Sequence, residues 1–455
     1  MKKIILAVIL FMVSNCHAQN ILTRDEFIDI VKKFHPVAKQ ALLDVGIAEA
    51  YLTATRGHFD PVLNFQNGRK EFDGTNYYRQ QQGELKIPTW YGLDLHAGIE
   101  SMEGERVNPE ETKGRIYYTG ISMPLIQNVI MDKRRAAVQQ AKILRDQSEV
   151  ARKTALNNLV AEAVLSYWDW WEQFRQLKIT QASVQNARTR LEMVKTMYRM
   201  GDRPAIDTLE ATTQVQVFEQ QESEAAMLLL KSKLQLSLYL WEDGGVAYEL
   251  PDDVIPEAAL PSRLPELDSL LREAATQPLL LQYDYDLSVL GIERKLKFQT
   301  LLPEVTAKYH ALTKNASKTF NHGLFDNDFR FGLTLSMPLR LSEGRGQYKA
   351  AKLKIEKTRL ERSMKQVSIQ NSVKQYYVEW QQTLLQYQQQ QKLLSNYMAL
   401  QRGEETRFSN GESSLFLINA REARTLEGQR KELALMAKMK KAEVSLFWAA
   451  GSFIN

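Results

Sequence analysis

Two carboxylates, Asp207 and Glu210, stand three residues apart just past a helix break at Gly201. At that spacing both lie on one side of a helix. Charge beside a helix break can tune the flow of ions; its plainer reading is a solvated helix start, where acids favour the positive end of the dipole. Glu110 and Glu111 could serve acid–base chemistry, but their polar run, Gly104 to Gly114, reads as a turn or loop. Trp168, Trp170 and Trp171 could box a ligand, yet their helical spacing reads as packing between helices. His35, His58, His96, His310 and His322 are scattered, and no His/Cys pair has metal-ligand spacing. No glycine loop of a phosphate-binding type is present. The expectation is a chain without a catalytic constellation, metal or cofactor: not an enzyme.

The elements that position these residues begin with an address. Lys2 and Lys3 precede an apolar stretch from Ile4 to Val13, and Cys16-His17-Ala18 offers a small residue for signal peptidase. This reads as a signal peptide over residues 1–18, cleaved between Ala18 and Gln19. A rival reading makes Cys16 a lipidated N-terminus, which the Asn15 before it fits poorly. Cleavage takes the net charge from +5 to +3 and removes the only Cys. A near-neutral chain gives no reason to expect nucleic acid. Mean hydropathy is −0.37, and no apolar run reaches the roughly 20 residues of a membrane-spanning helix.

A chain of 455 residues would prompt about three domains, but it repeats itself. Pro36 and Pro61 recur as Pro278 and Pro303, offset by 242. Ser122-Met123-Pro124-Leu125 recurs as Ser336-Met337-Pro338-Leu339 at 214; Tyr167 and Trp170 recur as Tyr377 and Trp380, and Gly201-Asp202 as Gly411-Glu412, at 210. Trp241 and Gly244 recur as Trp448 and Gly451 at 207. Ordered marks with slowly drifting offsets indicate a duplication. The first repeat spans 19–250, with strands at about 61–125 and a helical hairpin at about 128–241. A proline-marked linker, 251–265, leads to the second repeat, 266–455, with strands at about 303–339 and a helical hairpin at about 347–448. The first repeat holds 28 more residues between its proline marks, an added hairpin or a long loop.

Each repeat opens with a helix-like segment, about 23–56 and 266–297, the first starting on a Thr23…Glu26 capping box. Residues 125–200 contain neither Gly nor Pro. Leu156, Ala163, Trp170, Leu177, Val184, Leu191 and Tyr198 recur every seven residues, as do Val373, Trp380, Tyr387 and Leu394. That period keeps one seam against a partner helix. Gly201 and Gly411 end these helices, and Pro204 suits the first turn of a returning one.

Phe329, Phe331, Leu333, Leu335, Met337 and Leu339 alternate with polar or small residues, as do Leu93, Leu95, Ala97 and Ile99. A transmembrane barrel would turn such a face to lipid. Tyr77 and Tyr78 are candidate interface anchors, although loop packing explains them equally well. Four to six strands cannot enclose a water-filled pore, and an open sheet in lipid leaves costly unpaired backbone groups. The strands must close with copies of the same chain.

This constellation resembles the TolC-type outer-membrane efflux proteins. The resemblance rests on Pro36 and Pro278, on the two Ser-Met-Pro-Leu joins, and on the segments Tyr198 to Ala211 and Phe408 to Leu415. It implies a mainly α fold with membrane β: a duplicated helix–β-hairpin–long helical hairpin unit, forming a trimeric β-barrel continuous with a periplasmic α-barrel. In that family the barrel has twelve strands, and a passive duct docks to an inner-membrane pump through a periplasmic adaptor. The tips at Met200, Gly201 and Asp202 and at Asn410, Gly411 and Glu412 would then meet the adaptor. The family's gate carboxylates lie six and nine residues past the tip glycine, which carries the role to Asp207 and Glu210. After Gly411 those positions are Leu417 and Ala420; Ser413 stands where some members place a gate Arg, and Phe408 where they place a Tyr.

The expected function is therefore the outer-membrane channel subunit of a tripartite efflux or export system, in contact with outer-membrane lipid and extending into the periplasm. The alternative is a periplasmic adaptor or a structural coiled-coil protein of the envelope, which would not need a lipid-facing strand pattern before each helical hairpin.

Overall fold

The computed structural model describes residues 20–108, 110–316 and 328–454. The signal segment, with Cys16, Ala18 and Gln19, and His322 lie outside the described residues. The elements run β1 (Ile21–Leu22), α1 (Arg24–Phe34), α2 (Pro36–Arg56), β2 (Val62–Phe72), β3 (Thr75–Pro88), β4 (Asp94–Glu103), β5 (Gly114–Pro124), α3 (Lys133–Arg199) and α4 (Ala205–Ser237). The second half continues with β6 (Ile255–Pro256), α5 (Leu267–Ala275), α6 (Pro278–Gln299), β7 (Glu304–Thr313), β8 (Phe329–Ser336), α7 (Ser342–Ser409) and α8 (Leu415–Ala450). Helix, strands and long helical hairpin thus occur twice, and no described helix is long and apolar enough to cross a membrane.

Local chemistry sets the element ends. Thr23 and Glu26 form the expected reciprocal cap. The opening helical segments differ from expectation, because each splits in two at its proline. Pro36 opens α2, and His35 before it is extended (φ −63°, ψ 135°), since a proline ring pushes its predecessor out of the helical region. Pro278 opens α6 in the same way after α5 ends at Ala275. Pro204 sits one residue outside α4, as its cap. Helix α7 starts at Ser342, through Gly344 and Gly346. A Cβ on Gly344 would lie 2.9 Å from the Thr300 carbonyl oxygen, so close packing calls for glycine there.

The chain forms two compact units, each drawing on both halves of the duplication. One holds the segments up to Leu42, Arg152–Pro278 and from Gln366 onward. Its core gathers Phe27, Tyr167, Trp168, Trp170, Trp171, Leu236, Trp380 and Met439. The three tryptophans are packing residues, and Trp171 donates its indole N–H to the Glu257 carbonyl at 3.0 Å. The seven-residue seam is buried at Ala163, Trp170 and Val184 and at Val373, Trp380, Tyr387 and Leu394. It runs out at Tyr198, which faces outward on the last turn of α3, while Val194 packs inside.

The other unit holds Leu43–Ala151 and Leu279–Lys365. Its centre is one antiparallel sheet in the order β2-β3-β4-β5-β7-β8. The 28-residue excess falls in the part of the chain that builds an added hairpin, so the first half supplies four strands and the second two. Among the described residues this sheet holds six strands, against the four per chain that the resemblance implies for a twelve-stranded trimer. Tyr77 and Tyr78 lie on β3, with Lys70 4.7 Å above the Tyr77 ring. Glu110 and Glu111 lie in the loop between β4 and β5.

Candidate functional site

The two helical hairpins α3–α4 and α7–α8 turn on the same device. Gly201 and Gly411 hold left-handed backbone, φ +81° and +79°. In the first tip the Gly201 N–H reaches the Tyr198 carbonyl and Asp202 the Met197 carbonyl, each at 3.0 Å. In the second, Gly411 reaches Phe408 at 3.0 Å and Glu412 reaches Arg407 at 2.9 Å. These bonds satisfy carbonyls the helix end leaves open, and the positive φ explains the glycine. Met200, Ile206, Leu209 and Phe416 stand exposed around the tips.

Asp207 and Glu210 are half-buried, and each meets a partner within the chain. The Asp207 carboxylate lies 3.9 Å from Arg203. Glu210 accepts a 2.9 Å bond from the Asn419 side-chain amide on α8. Asn419 in turn accepts from Arg190 at 3.3 Å, and Arg190 holds Glu422 through two bonds of 2.6 and 3.0 Å. A chain of polar contacts thus runs Glu210–Asn419–Arg190–Glu422 across the hairpins. Beneath it Val194, Ala211, Phe408, Leu415 and Ile418 form an apolar knot.

Arg203 makes a second fastening. Its guanidinium lies 4.5 Å over the Phe408 ring and donates to the Ser413 carbonyl at 3.1 Å. The Ser413 hydroxyl donates to the buried Glu404 carboxylate, which Arg407 and Arg421 flank at 3.8 Å each. Arg203 and Ser413 are equivalent positions of the duplication, 210 residues apart. Sequence reasoning looked for an arginine only in the second repeat and missed the one in the first. The duplication offset was the signal that could have found it.

The sheet carries a different polar cluster. His96 and His310 were scattered in sequence; on the sheet they face each other with ring centres 5.5 Å apart, in register across Gly120. Tyr118 stacks on His310 and donates to Glu84 at 2.8 Å. Among the described residues no group of three or more His, Cys, Asp or Glu has the geometry to hold a metal ion.

Duplicated long helical hairpins and one six-stranded antiparallel sheet make up the described chain, the set of elements found in envelope channel proteins. The family described as Outer membrane efflux protein matches residues 76–240 and 275–452, and the chain belongs to that family of outer-membrane channels, which extend into the periplasm. No curated protein matches it in sequence. Solved structures show the same fold. The outer-membrane channel OprN is 11% identical with a TM-score of 0.70, over 95% of this chain and 90% of that one. The outer membrane protein VceC of Vibrio cholerae is 12% identical with a TM-score of 0.67, over 95% and 97%. The open-state MtrE channel of Neisseria gonorrhoeae is 14% identical with a TM-score of 0.67, over 95% and 89%.

Proposed function

We propose that this chain is the outer-membrane duct of a tripartite efflux or export system. Three copies form the duct, two structural repeats (19–250 and 266–455) joined by the 251–265 linker build each copy, and an inner-membrane pump drives transport through a periplasmic adaptor. The observation that carries this reading is the pair of matching glycine tips, with Met200, Ile206 and Leu209 exposed beside the first and Phe416 beside the second, fastened to each other by Arg203 and by Arg190 with Glu422. Met200, Gly201, Asp202, Asn410, Gly411 and Glu412 form the docking tips. Asp207 and Glu210 act as gate residues through Arg203 and Asn419, their partners in the chain.

Planar-bilayer recording of Asp207→Asn with Glu210→Gln tests the gate. The expected result is higher conductance and weaker cation preference, because the ties to Arg203 and Asn419 loosen and two negative charges are lost. Unchanged conductance and selectivity remove the gate assignment and leave the fold untouched. Detergent extraction from outer membranes as a trimer, with an adaptor co-purifying, tests the assembly.

A further inference from the structure

Among the described residues, two strands of the sheet have only one neighbour, β2 and β8. We propose that these edges pair between copies of this chain, so that three copies close a ring of eighteen strands instead of the family's twelve. The count rests on the trimer reading above; the choice of edges does not.

Four observations carry it. First, the added hairpin is built into the sheet. β3 pairs with β4 without a break from Arg79↔Glu103 to Pro88↔Asp94, and β2 pairs with β3 along its length. A twelve-strand ring would have to break the β3–β4 ladder to free β4 as an edge.

Second, one apolar face crosses all six strands in register. At one level stand Leu63, Leu85, Ala97, Thr119, Ala311 and Phe329. At the next stand Ile87, Leu95, Ile121, Tyr309 and Phe331. The opposite face carries Glu84, His96, Glu100, Tyr118, His310 and Arg330. A hairpin outside the lipid would have no cause to continue the apolar face onto Leu63, Phe65, Leu85 and Ile87. The band runs from the Val305 level to the Thr313 level of β7, nine residues, the length of about 9–11 residues that a tilted membrane-spanning strand needs. Above it, Arg69 and Arg79 face each other where the hairpin turns polar.

Third, the directions match. Every neighbouring pair in the sheet is antiparallel. With six strands, the last runs opposite to the first, so β8 of one copy meets β2 of the next in the same antiparallel sense. Fourth, the described residues of both edge strands are mostly exposed on either face: Leu63 and Phe65 are 77% and 72% exposed, Leu333 and Leu335 59% and 70%. In lipid, each unpaired backbone group along these edges would cost several kcal/mol. Barrel diameter grows about linearly with strand number, so the outlet is about half as wide again as a twelve-stranded one.

Cysteine pairs in the full chain test the edges. Leu63→Cys is combined in turn with Phe329→Cys, Phe331→Cys and Leu333→Cys; Leu95→Cys on β4 is combined with the same three. Oxidation in outer membranes is expected to give a ladder ending at three copies from a β2–β8 pair and none from the β4–β8 pairs. A β4–β8 ladder of three overturns the eighteen-strand ring and leaves the trimer standing. A β2–β8 ladder ending at another number overturns the trimer and the count together. Electron cryo-microscopy of the unsubstituted protein reads the ring directly: eighteen strands support the proposal, and twelve overturn it.

Discussion

Arg190 on α3 and Glu422 on α8 grip each other through two short hydrogen bonds, 232 residues apart in the chain. Their side chains are only 12% and 6% exposed, so neither charge has water to fall back on. Glu422→Gln should cost about 3 kcal/mol, the scale of stranding one partner of a buried pair. Replacing both, Arg190→Met with Glu422→Leu, should cost markedly less. A double-mutant cycle on thermal unfolding in detergent measures the difference.

The tip glycines make a second case. A Cβ on either would meet open space, so only the left-handed backbone opposes substitution. Gly201→Ala or Gly411→Ala should each destabilise by about 1–2 kcal/mol, the cost of an L-residue in that region. Gly201→Asn should cost less, because asparagine visits left-handed backbone more readily. Unfolding midpoints of the three variants check the order.

The repeat, the glycine tips and the heptad seam were legible because each depends on local rules: period, helix-end geometry, helix propensity. Val373, Trp380, Tyr387 and Leu394 announce their burial by spacing alone. β2 did not, since Asn67, Gly68 and Arg69 interrupt the alternation just above the apolar band. The gate region was legible only as carboxylates beside a break. Their partners Arg203, Asn419 and Arg190 come from other segments, and only packing of one hairpin on the other brings them within reach. Pro36 and Pro278 stand out in the sequence, but a proline within a helix-like pattern does not itself say whether the helix kinks or restarts.

Tyr167 and Trp171 tie the linker to the helical core. The Tyr167 hydroxyl donates to the Leu22 carbonyl at 2.8 Å and accepts from the Glu257 N–H at 3.2 Å. Tyr167→Phe leaves both backbone groups without that partner and should cost about 1–3 kcal/mol. Limited proteolysis should then cut faster within residues 251–265, while cutting elsewhere keeps its rate.

His35 gives a pH dependence. Its ring is stacked on Tyr239 and set edge-on to Trp241, and its Nδ1 accepts the Val37 N–H at 3.2 Å. Burial pushes its pKa below the usual 6.5, against a smaller opposing pull from the Leu238 backbone. The unfolded chain therefore takes up the proton first. The stability tied to the neutral ring is complete above about pH 6.5 and falls as the pH drops below it. Melting temperatures between about pH 7.5 and 5.5 should decline less for His35→Gln than for the unsubstituted protein.

Strands β5 and β7 come from different halves of the duplication, yet they are zipped along eight residue pairs, from Tyr117↔Thr313 to Pro124↔Thr306. The peptide between the halves is therefore not the only thing that joins them. Severed at the linker and expressed as two separate polypeptides, the halves have a ready-made recognition seam.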